Sequence, residues 1–360
     1  MNKICDIKEY INTYYESKLA TDESYTYQQA INDVRDIISE KNNKKILAFN
    51  KEIEYTYDAN NMPKLIHFTL KDKKNINNDV WKQCLNEYQK MYPDYKFILY
   101  DNDDIYNIVS YFDKRNLHFV KNIKKGAILA DVFRYLILYL RGGYYSDMDC
   151  FPYKRIEELS KTQYHGNDQN IFYIHNQQFD LNDKSYEFYE NPCKHCQLMY
   201  YSNNNKNLKK IKQVYKCLGH QYIKKDTNII VGYEFEKTWH QNLITGHDKH
   251  LWTHNNVGIC QWFIGAKPNE PLFKKCYKKS LENIKQFNYN IDDNYHFNVI
   301  NSTGPLFFTK MIHQFLETDT NFKNKIVILP CDYFCCGSGN TVPSTKNKFI
   351  QHKFTGSWLK

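Results

Sequence analysis

Residues 126–150 read GAILADVFRYLILYLRGGYYSDMDC. Ile128, Leu129, Val132, Phe133, Leu136, Ile137 and Leu140 recur at helical spacing and cover almost the whole circumference, which predicts a buried helix over 126–141. Gly142-Gly143 ends it, because a left-handed backbone costs glycine almost nothing. The aromatic run that follows predicts a strand over 144–149, closing on Asp147-Met148-Asp149. Residues two apart on a strand share a face, about 6 to 7 Å apart. On that reading Asp147 and Asp149 serve one cation–substrate assembly, and Met148 turns to the core. Paired carboxylates at a strand mouth suit a hard divalent cation that keeps open positions for phosphates. Asp131 and Arg134 stand three apart on the preceding helix and share a face. An ion pair of purely structural origin is one reading. A pair used by a substrate is the other, since buried charge is costly unless something employs it.

Working outward, Met62-Pro63-Lys64 introduces Leu65-Ile66-His67-Phe68, an apolar run suited to a buried strand, with His67 read as a satisfied core group. A helix is predicted from Asp79 to Pro93, then a strand over 95–100 and helices over 103–113 and 126–141. Strand, helix, strand, helix, strand marks a parallel sheet with crossover helices, and ligands of such sheets sit beyond the carboxyl ends of the strands. Residues 1–60 read as a polar helical extension. In it Thr21-Asp22-Glu23-Ser24 caps a helix over 27–41, and Asn42-Asn43-Lys44-Lys45 marks its end. Residues 61–360 read as one catalytic domain, with helical pieces at 185–191 and 205–223 inside an acceptor-side insertion at about 152–250. Further on, the apolar 257–266, helices over 271–285 and 304–316, and the strand 326–329 complete the domain.

Bulk properties narrow the class. With 42% hydrophobic residues in 360, the chain has ample core, which excludes global disorder. The net charge of +9 comes from lysines interleaved with acids rather than a basic stripe, which argues against a nucleic-acid partner. The first twenty residues lack the apolar core of a signal peptide, and no window reaches the roughly 18 to 20 apolar residues of a membrane span. A soluble cytoplasmic or otherwise intracellular protein without a membrane anchor is therefore expected. Its eleven cysteines are then mostly thiols, and neither Cys193/Cys196 nor Cys331/Cys335/Cys336 offers the clean four-ligand set of a structural zinc.

The string A-D-x-F-R-Y, apolar helix, G-G, Y-x-D-x-D resembles the sugar-binding region of DXD-type glycosyltransferases, in particular family 32. That group includes the yeast initiating α-1,6-mannosyltransferase, and the glucosylating bacterial toxins are more distantly similar. Met62 to His67 resembles the family's I-P-K-x-I-H opening strand, and Tyr92 to Asp101 its N-P-x-Y-x-x-x-L-x-D segment. Trp262 to Pro268, Thr303-Gly304-Pro305 and His352 to Trp358 resemble its apolar strand, its T-G-P turn and its terminal H-x-x-x-x-S-W. Two departures stand out. Gln261 replaces the usual Asn, and Leu70 the usual Trp.

The resemblance implies an α/β GT-A-type nucleotide-binding sandwich with a mostly parallel central sheet. It also implies Mn²⁺ or Mg²⁺ as cofactor and transfer with retention of anomeric configuration. Carried over position by position, Asp147 meets the ribose and the metal shell and Asp149 ligates the metal. Asp131 and Arg134 hold the donor sugar, with Tyr145 beside it and Gln261 near it. His352 approaches the metal or diphosphate, and Ser357 and Trp358 close over the site. Asp131, Arg134, Asp147 and Asp149 are thus the candidate catalytic residues, and Asp147, Asp149 and His352 the candidate metal ligands. The implied activity moves a hexose or N-acetylhexosamine from a nucleotide sugar, UDP-sugar favoured and GDP-mannose possible, to a glycan, protein or lipid. Two other readings stay open: a metal-dependent phosphohydrolase or nuclease drawing on Asp101, Asp103 and Asp104, and a non-catalytic nucleotide-sugar-binding protein.

Overall fold

The computed structural model describes residues 7–22, 24–74, 76–161, 164–167, 217–221, 223–236, 257–286, 295–319, 321–329, 333–336 and 348–355. The chain divides into two compact units, Met1–Tyr55 and Thr56–Lys360.

The first unit contains helices Ile7–Leu19 and Tyr27–Phe49. Thr26, not the 21–24 stretch, caps the second, and Gln29 completes a reciprocal capping box. The helix also runs straight through Asn42-Asn43-Lys44-Lys45, the expected end. Glu40 and Lys44 pair one turn apart at 2.7 Å, and Ile46 extends the buried stripe of Ala30 and Val34. Polar residues on an exposed helix face do not stop a helix when the apolar face continues.

Among the described residues the second unit has twelve strands: β1 (Leu65–Thr69), β2 (Lys96–Tyr100), β3 (Gly143–Ser146), β4 (Cys150–Pro152), β5 (Tyr164–Asn167), β6 (Cys217–Gln221), β7 (Ile229–Glu236), β8 (Val257–Ile259), β9 (Phe263–Ala266), β10 (Ile326–Leu329), β11 (Phe334–Cys336) and β12 (Ile350–His352). The central sheet has the order β10-β7-β9-β3-β1-β2, with β8 beside β7. All members of that path run one way except β9, so the sheet is mostly parallel, as expected.

Alternation along the strands gives the sheet two apolar faces. Ile66, Phe68 and Tyr144 pack with Tyr88 and Tyr92 on the side of the Asp79–Met91 helix. On the other side Tyr100 meets Phe133 of the Gly126–Arg141 helix, which itself packs on the Pro271–Gln286 helix. His67 is fully buried there, its Nδ1 3.0 Å from the Tyr100 hydroxyl and its Nε2 2.8 Å from the Gly142 carbonyl. Burial pushes it down to about 3, so it is a neutral core group, as read from the sequence.

Two differences from the sequence reading matter. β7 lies inside the span assigned to an insertion, yet it is an internal strand of the central sheet between β10 and β9. The expected helix over 205–223 gives way at its described end to β6, which pairs antiparallel with β5. Residues 185–191 lie outside the described residues.

The Gly pair places the site. Gly142 has φ +62 and Gly143 φ +87, and the chain reverses from the Gly126–Arg141 helix directly into β3. A Cβ on Gly143 would stand 2.7 Å from the Leu65 carbonyl oxygen, against β1 backbone that cannot yield. Gly143→Ala therefore combines a left-handed backbone with a main-chain clash. It is expected to cost roughly 2 to 4 kcal/mol, read as a drop in thermal midpoint, whereas a neutral melt would contradict the tight reversal.

Candidate active site

β3 ends at Ser146, one residue short of the acidic pair. Asp147 follows the strand, and Met148 and Asp149 lie in a turn closed by the Cys150 N–H donating to the Asp147 carbonyl at 3.1 Å. The two carboxylates thus converge from a turn rather than from one face of a strand. The Asp147 N–H donates to the Trp262 carbonyl at 2.8 Å, which ties the turn to the loop before β9. Met148 is buried in the core, as expected.

The Gly126–Arg141 helix supplies Asp131 and Arg134. Arg134 Nη2 stands 3.0 Å from Asp131 Oδ1 and 3.2 Å from Asp147 Oδ1, while Nη1 donates to the Gln261 carbonyl at 2.6 Å. Its guanidinium lies over the Tyr145 ring, 4.6 Å from the centroid. Tyr145 is fully buried, with its hydroxyl 2.7 Å from Thr69 Oγ1. Gln261 is 3% exposed and its amide is turned inward, donating to the Tyr135 hydroxyl at 2.6 Å and the Thr303 carbonyl at 2.8 Å. The structure therefore gives Gln261 a place beneath Arg134.

Strand pairing delivers the tail. β12 runs antiparallel to β4 with His352 opposite Cys150. His352 Nε2 lies 3.0 Å from Asp149 Oδ1 and 4.0 Å from Asp147 Oδ2, and its ring stacks on Trp262 at 5.2 Å and 7°. Phe354 adopts φ +47, a conformation uncommon for a bulky residue, and the chain turns back at that point. Thr355 then donates both its N–H and its hydroxyl to Asp149 Oδ2, each at 2.9 Å. Ser357 and Trp358 lie outside the described residues.

The electrostatics separate the carboxylates. Burial pushes Asp131 up to about 6 against the pull of Arg134 and the Thr303 hydroxyl. Burial likewise raises Asp147, again opposed by Arg134 and His352. For Asp149 burial is outweighed by His352 and Thr355, which hold it down at about 2. An ionised Asp149, the Asp147 carboxylate and the His352 imidazole form a donor set that fits a divalent cation. The Cys150 thiol adjoins it, with one donor atom each of Asp149, Cys150 and His352 within 4.8 Å of one another. By contrast, Asp101 and Asp104 spend their carboxylates on the reciprocal cap of the Asn102–Phe112 helix and on Lys73. They do not supply the second metal of a nuclease.

The structure brings Asp131, Arg134, Tyr145, Asp147, Asp149, Gln261 and His352 together. Sequence reasoning assigned no role to Trp262, Thr303 or Thr355. The first two stood in quoted motifs, and Thr355 lies between His352 and Trp358; only the fold shows their contacts.

Residues 22–165 match the family described as "Glycosyltransferase sugar-binding region containing DXD motif". The matched stretch contains Asp131, Arg134, Tyr145, Asp147 and Asp149. It is 23% identical over 338 residues to the initiation-specific alpha-1,6-mannosyltransferase of Schizosaccharomyces pombe, an alignment that covers 85% of this chain and 66% of that protein. Among solved structures, the PaToxG glycosyltransferase is 14% identical, with 81% of this chain and 83% of that one covered and a TM-score of 0.34. The catalytic domain of alpha-toxin from Clostridium novyi is 12% identical, with 88% and 75% covered and a TM-score of 0.29. Among the described residues no helix is long and apolar enough to cross a membrane.

The raised Asp131 has a stability signature. Its value is about 6 folded against 3.8 for the free side chain, so its contribution is whole below the lower value and lost as pH rises through the higher one. Asp131→Asn removes that loss. The stability difference, variant minus wild type, should climb between about pH 4 and pH 6 and stay level above about pH 7, by roughly 3 kcal/mol in all. Melts across that range check it. A difference independent of pH would mean the carboxylate is not held in a water-poor setting.

Proposed function

We propose that the chain is a metal-dependent, retaining glycosyltransferase that moves a hexose or N-acetylhexosamine from a nucleoside-diphosphate sugar to a glycan, protein or lipid acceptor. The observation that carries this is the convergence of three carboxylates, one guanidinium and one imidazole beyond the carboxyl end of β3. Asp147, Asp149 and His352 would hold Mn²⁺ or Mg²⁺, which stabilises the negative charge on a departing diphosphate as a Lewis acid. Arg134 lends positive charge beside the same position, and Asp131 offers a carboxylate to sugar hydroxyls. The domain of residues 61–360 is the catalytic body in this reading, and the donor is a UDP-sugar in preference to GDP-mannose.

The assembled carboxylates also bear on stereochemistry. A double displacement needs a carboxylate free to attack the anomeric carbon. Asp131, Asp147 and Asp149 are each engaged by Arg134, Thr303, His352 or Thr355. That arrangement supports front-face attack by the acceptor, assisted by the leaving phosphate.

A panel of UDP- and GDP-sugars with Mn²⁺, read by thermal shift and donor hydrolysis, tests the reading. One donor should raise the melting temperature only with metal present. Asp149→Asn should then bring donor turnover to background while the circular dichroism spectrum is preserved. Normal transfer by that variant, or a donor that stabilises equally without metal, would refute the assignment.

A further inference from the structure

The T-G-P turn connects the Tyr295–Ser302 and Pro305–Thr318 helices, and its threonine meets Asp131 of the Gly126–Arg141 helix. Thr303 is fully buried. Its hydroxyl donates to Asp131 Oδ2 at 2.8 Å, with the Val299 carbonyl a longer alternative at 3.4 Å. Its carbonyl accepts from Tyr135 at 2.7 Å and from Gln261 at 2.8 Å. The Thr303 N–H and the Gly304 N–H both donate to Val299, so the hydroxyl has little freedom to move.

This matters because of what Asp131 would otherwise do. A guanidinium favours a carboxylate that presents both oxygens to its fork. Arg134 instead shares Nη2 between Asp131 and Asp147 and gives Nη1 to the Gln261 carbonyl. The hydroxyl on Oδ2 keeps the Asp131 carboxylate from turning fully onto Arg134 and pulling that cation away from Asp147.

We infer that Thr303 is a positioning residue for donor-sugar recognition: its hydroxyl sets the orientation of Asp131, and through it the sharing of Arg134 between Asp131 and Asp147. The inference rests on the donor-site reading above and adds to it the residue that fixes sugar contact separately from diphosphate contact. The nucleoside diphosphate would be held mainly through the cation and the Asp147–Asp149 turn, so loss of the Thr303 hydroxyl bears on the sugar contact of Asp131 directly and on the diphosphate only through Arg134.

Calorimetric titration in Mn²⁺ of UDP against UDP-glucose and of GDP against GDP-mannose separates the two. In Thr303→Val, nearly equal in volume but without the donor, affinity for the sugar nucleotide should fall about ten- to hundred-fold while that for the matching diphosphate changes by no more than a few-fold. Thr303→Ser, which keeps the hydroxyl, should restore sugar-nucleotide affinity. Should the valine variant not fold, Thr303→Ala is compared with Thr303→Ser in its place, with diphosphate binding as the measure of an intact site. Parallel weakening of both ligands, an unchanged ratio, or no rescue by serine overturns the inference alone. Failure of the unaltered chain to bind any of the four ligands with Mn²⁺ overturns the donor-site reading and the inference with it.

Discussion

A guanidinium sealed from water is the constraint on which this site depends. Arg134 is 5% exposed, and a charge so placed is tolerable only when partners replace its hydration. It has four: two carboxylates, the Gln261 carbonyl and the face of Tyr145. They come from three stretches of chain. Asp131 lies on its own helix, Asp147 just past β3, Gln261 in the loop before β9, and Tyr145 within β3. The need to compensate one cation therefore fixes the mutual placement of helix, strand and loop.

The C-terminal tail is fixed by a different device. Backbone pairing of β12 with β4 sets His352 opposite Cys150, and the Trp262 ring then holds the imidazole plane. From there the left-handed Phe354 turns the chain so that Thr355 meets Asp149. A residue in that conformation is costly and persists where surrounding contacts determine it. Residues 350–355 are thus joined to the acidic turn, and Asp149 is the point where the two meet.

How far this was legible in the sequence follows from the range of the interactions. The helix 126–141, the Gly reversal and the sheet around them could be read because apolar spacing and glycine act within a few residues. Asp131, Arg134, Asp147 and Asp149 could be read for the same reason, as they sit within one 25-residue string. The exact seat of the acidic pair could not, because nothing in so short a string marks where the strand ends and the turn begins. The first-unit cap was misplaced by a few residues, since Ser, Thr and Asp are dense there and only geometry selects Thr26. β7 went unread although Ile229-Ile230-Val231 is β-branched throughout, because its neighbours in the chain are polar and gave no frame. Thr303 and Thr355 act across 172 and 206 residues, and no local pattern encodes such pairs.

The three carboxylates, finally, are not equivalent, and their differences assign them different work. Asp149 has both oxygens engaged, by His352 on one and Thr355 on the other, and stays ionised well below neutrality. Asp131 is equally enclosed but raised, caught between Arg134 and Thr303. Asp147 alone keeps substantial exposure, 28% of its side chain, with one oxygen on Arg134 and the other 4.0 Å from His352. Burial raises it even so, against the pull of Arg134 and His352. Environments that drive neighbouring titratable groups apart are how one site divides its roles. In the proposed reaction Asp149 would serve as the pre-formed anion, Asp131 as the oriented hydrogen-bond acceptor, and Asp147 as the carboxylate that meets a divalent cation at the open side.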